Sequence, residues 1–538
     1  MKYSRLLCCV PFVAAAAARA QSTLLQLPGP AAGVGFGYAV TGPGDLDGDG
    51  VPDFVASAPY GASRAYAHSG VDGAPLWNVG GWQGMFALSA AGDVDHDGRM
   101  DVVVGALTAN TALVCSGVDG HVLHTANGPG AYQYGLVVAG GADLDGDGTS
   151  DFAVGGPYWQ GLVELRSGAT GGALHTFFGP EFKGSFGAAV ALGDLNADGF
   201  NDVLVGMPYR VTEPAAPHKA GRVLAYSGTD HALLFDRKHS NAVDWFGASV
   251  AVVGDADGDG SVDYVAGAPS AQVGGGGVGA AYLFSSATGA ELGGHTASAF
   301  DRLGWTIANA GDVDGDGAPD FVAGTDVAAA GPASHASVCS GRTGAHLFDV
   351  HAQGGSAALF GWSVSGVGDV DGDGHSELAI GDYAVNGTTG SVAIASVYPR
   401  GVHPYGAGTS GCSCTQGLTS NASPQIAATG FELRANHAPA AGVGILVLSS
   451  AQDLAGSDPL GLGVVTHVGV LPPAVLIPRV LVADAQGLAM KAFALPSDPS
   501  AAGATLYAQA FWVWPSASCA ALPGVLSSSS GLAVTLQP

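Results

Sequence analysis

A nine-residue acidic loop occurs seven times in this chain of 538 residues, beginning at Asp45, Asp93, Asp143, Asp194, Asp255, Asp312 and Asp369. Oxygen-bearing side chains stand at loop positions 1, 3, 5 and 9, and Gly at position 6. The first three loops place Asp45, Asp47, Asp49 and Asp53, then Asp93, Asp95, Asp97 and Asp101, then Asp143, Asp145, Asp147 and Asp151. The fourth has Asp194, Asn196, Asp198 and Asp202, and the fifth has Asp255, Asp257, Asp259 and Asp263. Asp312, Asp314, Asp316 and Asp320 make the sixth, and Asp369, Asp371, Asp373 and Glu377 the seventh. Any fold open to this chain must therefore be a repeat that gathers carboxylates once per unit.

These loops hold 27 of the 45 Asp and Glu residues, which leaves 18 acids against 18 Lys and Arg elsewhere. The net charge of −27 is thus concentrated in the loops. Clustered carboxylates repel one another unless a cation neutralises them. Such an acidic chain is unsuited to a phosphate backbone, so no nucleic-acid partner is expected.

Calcium matches the donor set, because it takes six to eight oxygens in irregular geometry. Alternate side chains at positions 1, 3 and 5 can turn toward one centre, and position 9 closes the site. Position 7 varies through Val51, Arg99, Thr149, Phe200, Ser261, Ala318 and His375, which suits a main-chain carbonyl ligand. No Cys or His follows the cluster pattern, which disfavours zinc. An EF-hand needs Glu at position 12 and flanking helices. Here position 12 is Ala56, Val104, Val154 and Val205 in the first four loops, and short β-branched runs such as Val102-Val103-Val104 follow position 9. Those runs read as buried strands, so each loop sits inside a β-hairpin. Up to seven Ca²⁺ ions are expected. Asn196 and Ala197 weaken the fourth site, and His96 reads as a solvent-facing substitute for Gly.

Loop starts are separated by 48, 50, 51, 61, 57 and 57 residues, a period typical of radial or stacked arrays. An aromatic residue or Leu precedes each loop, usually followed by Gly: Phe36-Gly37, Phe86-Ala87, Tyr134-Gly135, Phe186-Gly187, Phe246-Gly247, Leu303-Gly304 and Phe360-Gly361. These side chains are expected in the core. After the loop the second strand often closes on Gly-x-Pro, as at Gly206-Met207-Pro208, with Thr325 and Asp382 as departures. A third strand leads to a Ser-Gly turn, as at Ser116-Gly117, and a fourth starts near Leu76, Leu123, Leu174, Leu233, Leu292 and Leu347. Four short antiparallel strands repeated seven times describe an all-β, seven-bladed β-propeller. The seventh repeat has its third strand at Ser391–Val397 and no fourth, so Ser22–Leu27 is expected to close the ring.

The ordered series of Phe-Gly, acidic loop and Gly-Ala-Pro resembles FG-GAP repeats, the blades of the integrin alpha-subunit N-terminal propeller. The resemblance covers about residues 21–400. It implies a seven-bladed propeller with calcium in the loops between strands one and two.

Residues 1–20 read as a secretory signal peptide, with Lys2 and Arg5 before an apolar run and an Ala18-Arg19-Ala20 cleavage pattern. A secreted or cell-envelope location follows, with no transmembrane segment. Cys115 and Cys339 occupy matching third-strand positions and read as buried thiols, while pairing among Cys412, Cys414 and Cys519 stays open. Gly401–Asn421 reads as a linker. Apolar alternation at Gly444–Leu448, Val464–Val470, Val480–Ala483, Leu506–Trp514 and Leu532–Leu536 predicts a small C-terminal β-sandwich-like domain over 422–538.

No nucleophile elbow, zinc-protease motif or P-loop occurs, and the 16 His show no metal-ligand spacing along the chain. The expected function is a non-enzymatic, monomeric calcium-binding module for an extracellular protein or glycan ligand. A hydrolase or lyase on a propeller scaffold and a structural envelope component remain the alternatives. Ligands are expected on the face opposite the calcium loops, with Trp82, Tyr132, Trp159 and Trp245 as candidate contacts.

Overall fold

A computed structural model describes residues 22–396 apart from 131, 183, 209–220, 240–243, 274–275, 298–300, 315–316, 327–333, 353–358 and 384–388. Beyond 396 it describes residues 402–405, 417–420, 431–436, 443–449, 452–457, 466–468, 476–483, 489–493, 505–513, 526–529 and 531–535. The expected signal peptide, Asp316, the Asn421 region and Cys412, Cys414 and Cys519 lie outside the described residues. The chain divides into two compact units, one spanning Thr23–Ser396 and one including Val397–Pro538.

The first unit holds seven four-stranded antiparallel sheets. Blade one contains Val40–Gly44, Asp53–Ala58, Arg64–His68 and Pro75–Gly80 in sheet order. Each second strand is buried along its whole length, as the β-branched runs require. First strands of successive blades touch around the ring, and the first strand of blade seven meets that of blade one. The ring is closed by Ser22–Pro28, which pairs with Ser391–Ser396 as the fourth strand of blade seven. Closure completes blade seven as a four-stranded sheet, so Ser391–Ser396 is paired on both sides. This is a seven-bladed β-propeller.

The core lies between blades. Val55 and Ala65 of blade one pack with Val102, Val104 and Leu113 of blade two, and Val163 and Leu165 of blade three pack with Val203 and Val205 of blade four. Each sheet therefore buries two faces, which is why its inner strands are apolar without alternation.

The Phe-Gly pair is a steric device. Phe36 is buried, and Gly37 has φ +83° with a would-be Cβ only 2.5 Å from the Ser391 carbonyl oxygen. Blade two departs from the expected core placement. Ala87 cannot take that left-handed turn cheaply, so the segment stays extended and strand alternation shifts by one. Met85 becomes the buried residue and Phe86 turns half outward.

In the second unit, five strands form a sheet in the order Val402–Tyr405, Gly531–Thr535, Thr505–Val513, Val443–Ser449 and Leu476–Val482, with Leu526–Ser528 added to Thr505–Val513. A three-stranded sheet consists of Gly417–Ser420, Phe431–Asn436 and Ala489–Phe493. The two sheets share one apolar cluster, with Leu433 and Ala435 on one side and Leu446, Ala508 and Trp512 on the other. Gly401–Asn421, which composition reads as a linker, contributes two of these strands. The Gly, Ser and Thr content of this stretch hides a role supplied by main-chain pairing.

Candidate metal centre

Each acidic loop joins the first strand of a blade to its second. Position 1 organises it. Asp45 accepts hydrogen bonds from the main-chain N–H of Gly48 at 2.5 Å and of Gly50 at 3.0 Å. Asp143 does the same for Gly146 and Gly148, and Asp369 for Gly372 and Gly374. Position 3 accepts from position 5 (Asp47 from Asp49, 3.1 Å) and position 5 from position 7 (Asp49 from Val51, 2.8 Å). These turns aim the remaining oxygens at one centre. Oxygens of Asp45, Asp47 and Asp53 lie within 4.8 Å of one another, as do those of Asp93, Asp95 and Asp101 and of Asp143, Asp145 and Asp151. The same holds for Asp255, Asp257 and Asp259 and for Asp312, Asp314 and Asp320.

Glycine at position 4 has a conformational cause. Gly48 and Gly146 there have φ of +89° and +77°, and His96 and Ala197 occupy the same left-handed region at +59° and +56°. His96 Nε2 lies 3.2 Å from the Thr149 hydroxyl of the next loop, so it bridges blades instead of facing only solvent.

Position 9 does more than close the loop. Asp101 is fully buried; one carboxylate oxygen accepts from Val94 N–H at 2.8 Å and the other from Gly117 N–H at 2.9 Å. Gly117 belongs to the Ser-Gly turn between strands three and four. Asp53 ties Leu46 to Gly70 in the same way, Asp151 ties Leu144 to Gly168, Asp202 ties Leu195 to Gly228, and Asp320 ties Val313 to Gly341. In blade five Asp263 ties Ala256 to Ser286. One carboxylate thus latches the acidic loop to the neighbouring turn. Blade seven draws its fourth strand from the N-terminal segment and has no such turn. There the acid is Glu377, longer by one methylene, which accepts from Val370 N–H at 2.7 Å and lies beside the Ser396 hydroxyl.

Burial pushes Asp101, Asp151, Asp202 and Asp263 up to about 6, against the lowering effect of their N–H donors. Asp320 and Asp373 reach about 7 and Glu377 about 9 by burial, with carboxylate neighbours adding to the rise. Asp373 Oδ2 is buried and has no hydrogen-bond donor among the described residues. An acceptor-only oxygen held beside other carboxylates fits a bound cation. The donor set is oxygen throughout, which suits a hard divalent ion.

Arg99 has a role its position 7 did not signal. Its guanidinium reaches from the second loop to Asp45 of the first at 3.2 Å, so the two loops are electrostatically linked. Cys115 and Cys339 are free and buried, and burial pushes the Cys115 thiol up to about 12.

The opposite face carries a group of rings that sequence reading missed. Tyr38 lies 5.0 Å from Phe86, 5.5 Å from Trp362 and 5.2 Å from Tyr383. Tyr60 lies 5.9 Å from Phe86, and Trp305 5.2 Å from Trp362. Tyr38, Trp305 and Trp362 each follow the Gly of a Phe-Gly or Leu-Gly pair, and Tyr60 and Tyr383 follow second strands. These positions sit at the ends of the inner strands remote from the acidic loops. The aromatic residue directly after the Gly was the available signal. Of the expected contacts, Trp159 is 58% exposed, while Trp82 and Tyr132 pack partly against interblade cores. Trp245 lies under the Arg302 guanidinium at 5.9 Å.

Comparison with known proteins agrees with this geometry. The FG-GAP-like repeat model matches residues 45–104 and the FG-GAP repeat model residues 186–226. The chain carries FG-GAP-type repeats at these residues, and its seven-bladed propeller is similar to that of integrin alpha subunits. Integrin alpha-5 of Xenopus laevis is 31% identical over 214 residues, which is 36% of this chain and 20% of that protein. Human integrin alpha-IIb is 31% identical over 220 residues, again 36% of this chain and 20% of that protein. Integrin alpha-4 of Xenopus laevis is 34% identical over 163 residues, with shares of 27% and 15%. The matched stretch thus spans about a fifth or less of these relatives. Among the described residues no helix is long and apolar enough to cross a membrane.

Proposed function

We propose that this chain is a calcium-binding propeller that acts as an adhesion-type binding module for an extracellular protein or glycan ligand. Calcium occupies the acidic loops and the ligand meets the opposite face. The signal peptide over residues 1–20 exports the chain to media where calcium at about 10⁻⁴–10⁻³ M fills sites of extracellular type. The propeller over 21–400 carries the binding surface, and the domain over 422–538, joined by strands drawn from 401–421, is a β-sandwich.

The observation that carries this reading is the ring cluster of Tyr38, Tyr60, Phe86, Trp305, Trp362 and Tyr383, partly exposed at the inner rim of the ring. Rigid aromatic side chains bury large area at low entropic cost and dominate recognition surfaces. Likeness to integrin alpha subunits supports the same class of role.

The test is an array of glycans and matrix proteins probed with the full chain, with calcium and with chelator. Binding that needs calcium and falls at least tenfold in Trp362→Ala and in Tyr38→Ala supports the reading. Calcium-independent binding, or binding unchanged in both variants, overturns it.

A further inference from the structure

Sixteen His lie scattered along the sequence, yet four of them meet where blades five and six adjoin. Blade six contains Thr306–Gly311, Asp320–Gly324, His335–Cys339 and His346–His351. His335 begins its third strand, and His346, Asp349 and His351 lie on its fourth. Asp301 precedes Leu303 in the connection from blade five, and His295 lies on the last strand of blade five, Glu291–Thr296.

His346 Nε2 is 2.9 Å from Asp349 Oδ1, and His335 Nε2 is 3.7 Å from the same oxygen. His335 Nε2 is also 3.9 Å from Asp301 Oδ2. Four donor atoms thus form a chain of short separations, two imidazole nitrogens alternating with two carboxylates. A tetrahedral ion with bonds of about 2.0–2.1 Å places its ligand atoms about 3.3–3.4 Å apart. These three of the six edges of such a set bracket that length, so neighbouring donors in the chain stand near the spacing one ion requires.

The supporting contacts hold the ligands in place. Ser337 Oγ donates to Asp349 Oδ1 at 2.6 Å. The His295 ring stacks on His346 with centroids 4.5 Å apart, and His351 lies against His335 at 5.5 Å. Outer-shell partners of this kind orient metal-ligating imidazoles and carboxylates. The side chains of Asp301 and His335 are 4% and 12% exposed, whereas His346 and Asp349 are 23% and 34% exposed, which leaves an entry path on one side. Two neutral imidazoles with two carboxylates balance a dication, and nitrogen donors separate this set from the all-oxygen loops.

We propose that His335, His346, Asp349 and Asp301 form a transition-metal site that takes a zinc-class dication, distinct from the acidic loops.

The test uses the full chain saturated with calcium and titrated with Co²⁺. One equivalent should produce the strong visible absorption of a tetrahedral site containing nitrogen, and added Zn²⁺ should abolish it. The band should be lost in His335→Gln and in His346→Gln and kept in Asp95→Asn, whose residue lies in an acidic loop. His346→Cys, which keeps a ligand, should add a thiolate-to-cobalt charge-transfer band in the near ultraviolet. That variant decides the matter even if a Gln variant fails to fold. Only weak six-coordinate absorption in the parent chain, a band that survives both Gln changes, or His346→Cys without the new transition would overturn the proposal.

Discussion

Replacing the position 9 acid separates the latch from the metal ligand, and Asp101 is the clearest place to do it. Its carboxylate accepts from Val94 N–H at 2.8 Å and from Gly117 N–H at 2.9 Å, both buried. Asp101→Ala orphans two buried donors at about 1–3 kcal/mol each, or roughly 2–6 kcal/mol together. Relief of the burial penalty that raises this acid to about 6 offsets part of the loss. A net destabilisation of roughly 2–4 kcal/mol is expected even with metal stripped away. Asp101→Asn keeps one acceptor oxygen but turns an amide toward the other donor, so about half that loss is expected. Asp95→Ala, at an exposed position 3, should change stability in chelator by less than about 0.5 kcal/mol while weakening calcium binding. The assay is urea unfolding in excess chelator, followed by tryptophan fluorescence and circular dichroism. Equal stability of Asp101→Ala and Asp95→Ala without metal would refute the latch.

Three further outcomes are expected. In chelator the melting temperature should fall as pH rises from about 4 to about 7. Asp101, Asp151, Asp202 and Asp263, raised to about 6, and Asp320, raised to about 7, stay protonated in the fold at pH values where the unfolded chain has already released its protons. Folded protein then binds more protons than unfolded, so the slope of stability with pH is negative. Scanning calorimetry across that window checks it, and saturating calcium should flatten the fall. His96→Gly should stabilise the fold by about 1 kcal/mol, because Gly takes the left-handed φ of +59° without a Cβ penalty; urea midpoints measure it, net of the contact to Thr149. Trp77 packs on Gly120 of the next blade and its indole N–H donates to the Gly117 carbonyl at 2.5 Å. Trp77→Ala should cost about 3–5 kcal/mol and Trp77→Phe about 1 kcal/mol, read from the same unfolding curves.

Much of this architecture could be read without coordinates. Local spacing carries the acidic loop, because positions 1, 3, 5 and 9 and the Gly at 6 act within one turn of chain. The blade followed from the order of Phe-Gly, loop, apolar run and Ser-Gly turn. The missing fourth strand of the last repeat pointed to Ser22–Leu27, and Ser22–Pro28 fills that place. Position 9 read as a closing ligand only, since its second partner, Gly117 for Asp101, lies 16 residues on, across a strand pair. Phe86 read as core because local pattern does not reveal that Ala87 shifts the alternation and hands its place to Met85.

The sequence by itself determined how many blades there are and where each acidic loop falls, since both rest on contacts within one repeat. Tertiary structure alone decided what neighbouring blades bring together. Arg99 reaches Asp45 across two loops, and Tyr38 meets Trp362 and Tyr383 across the closure. His335 and His346 converge on Asp349 while His295 arrives from another sheet. The physical reason is that ring closure sets the distance between residues far apart in the chain, and no local periodicity encodes that distance.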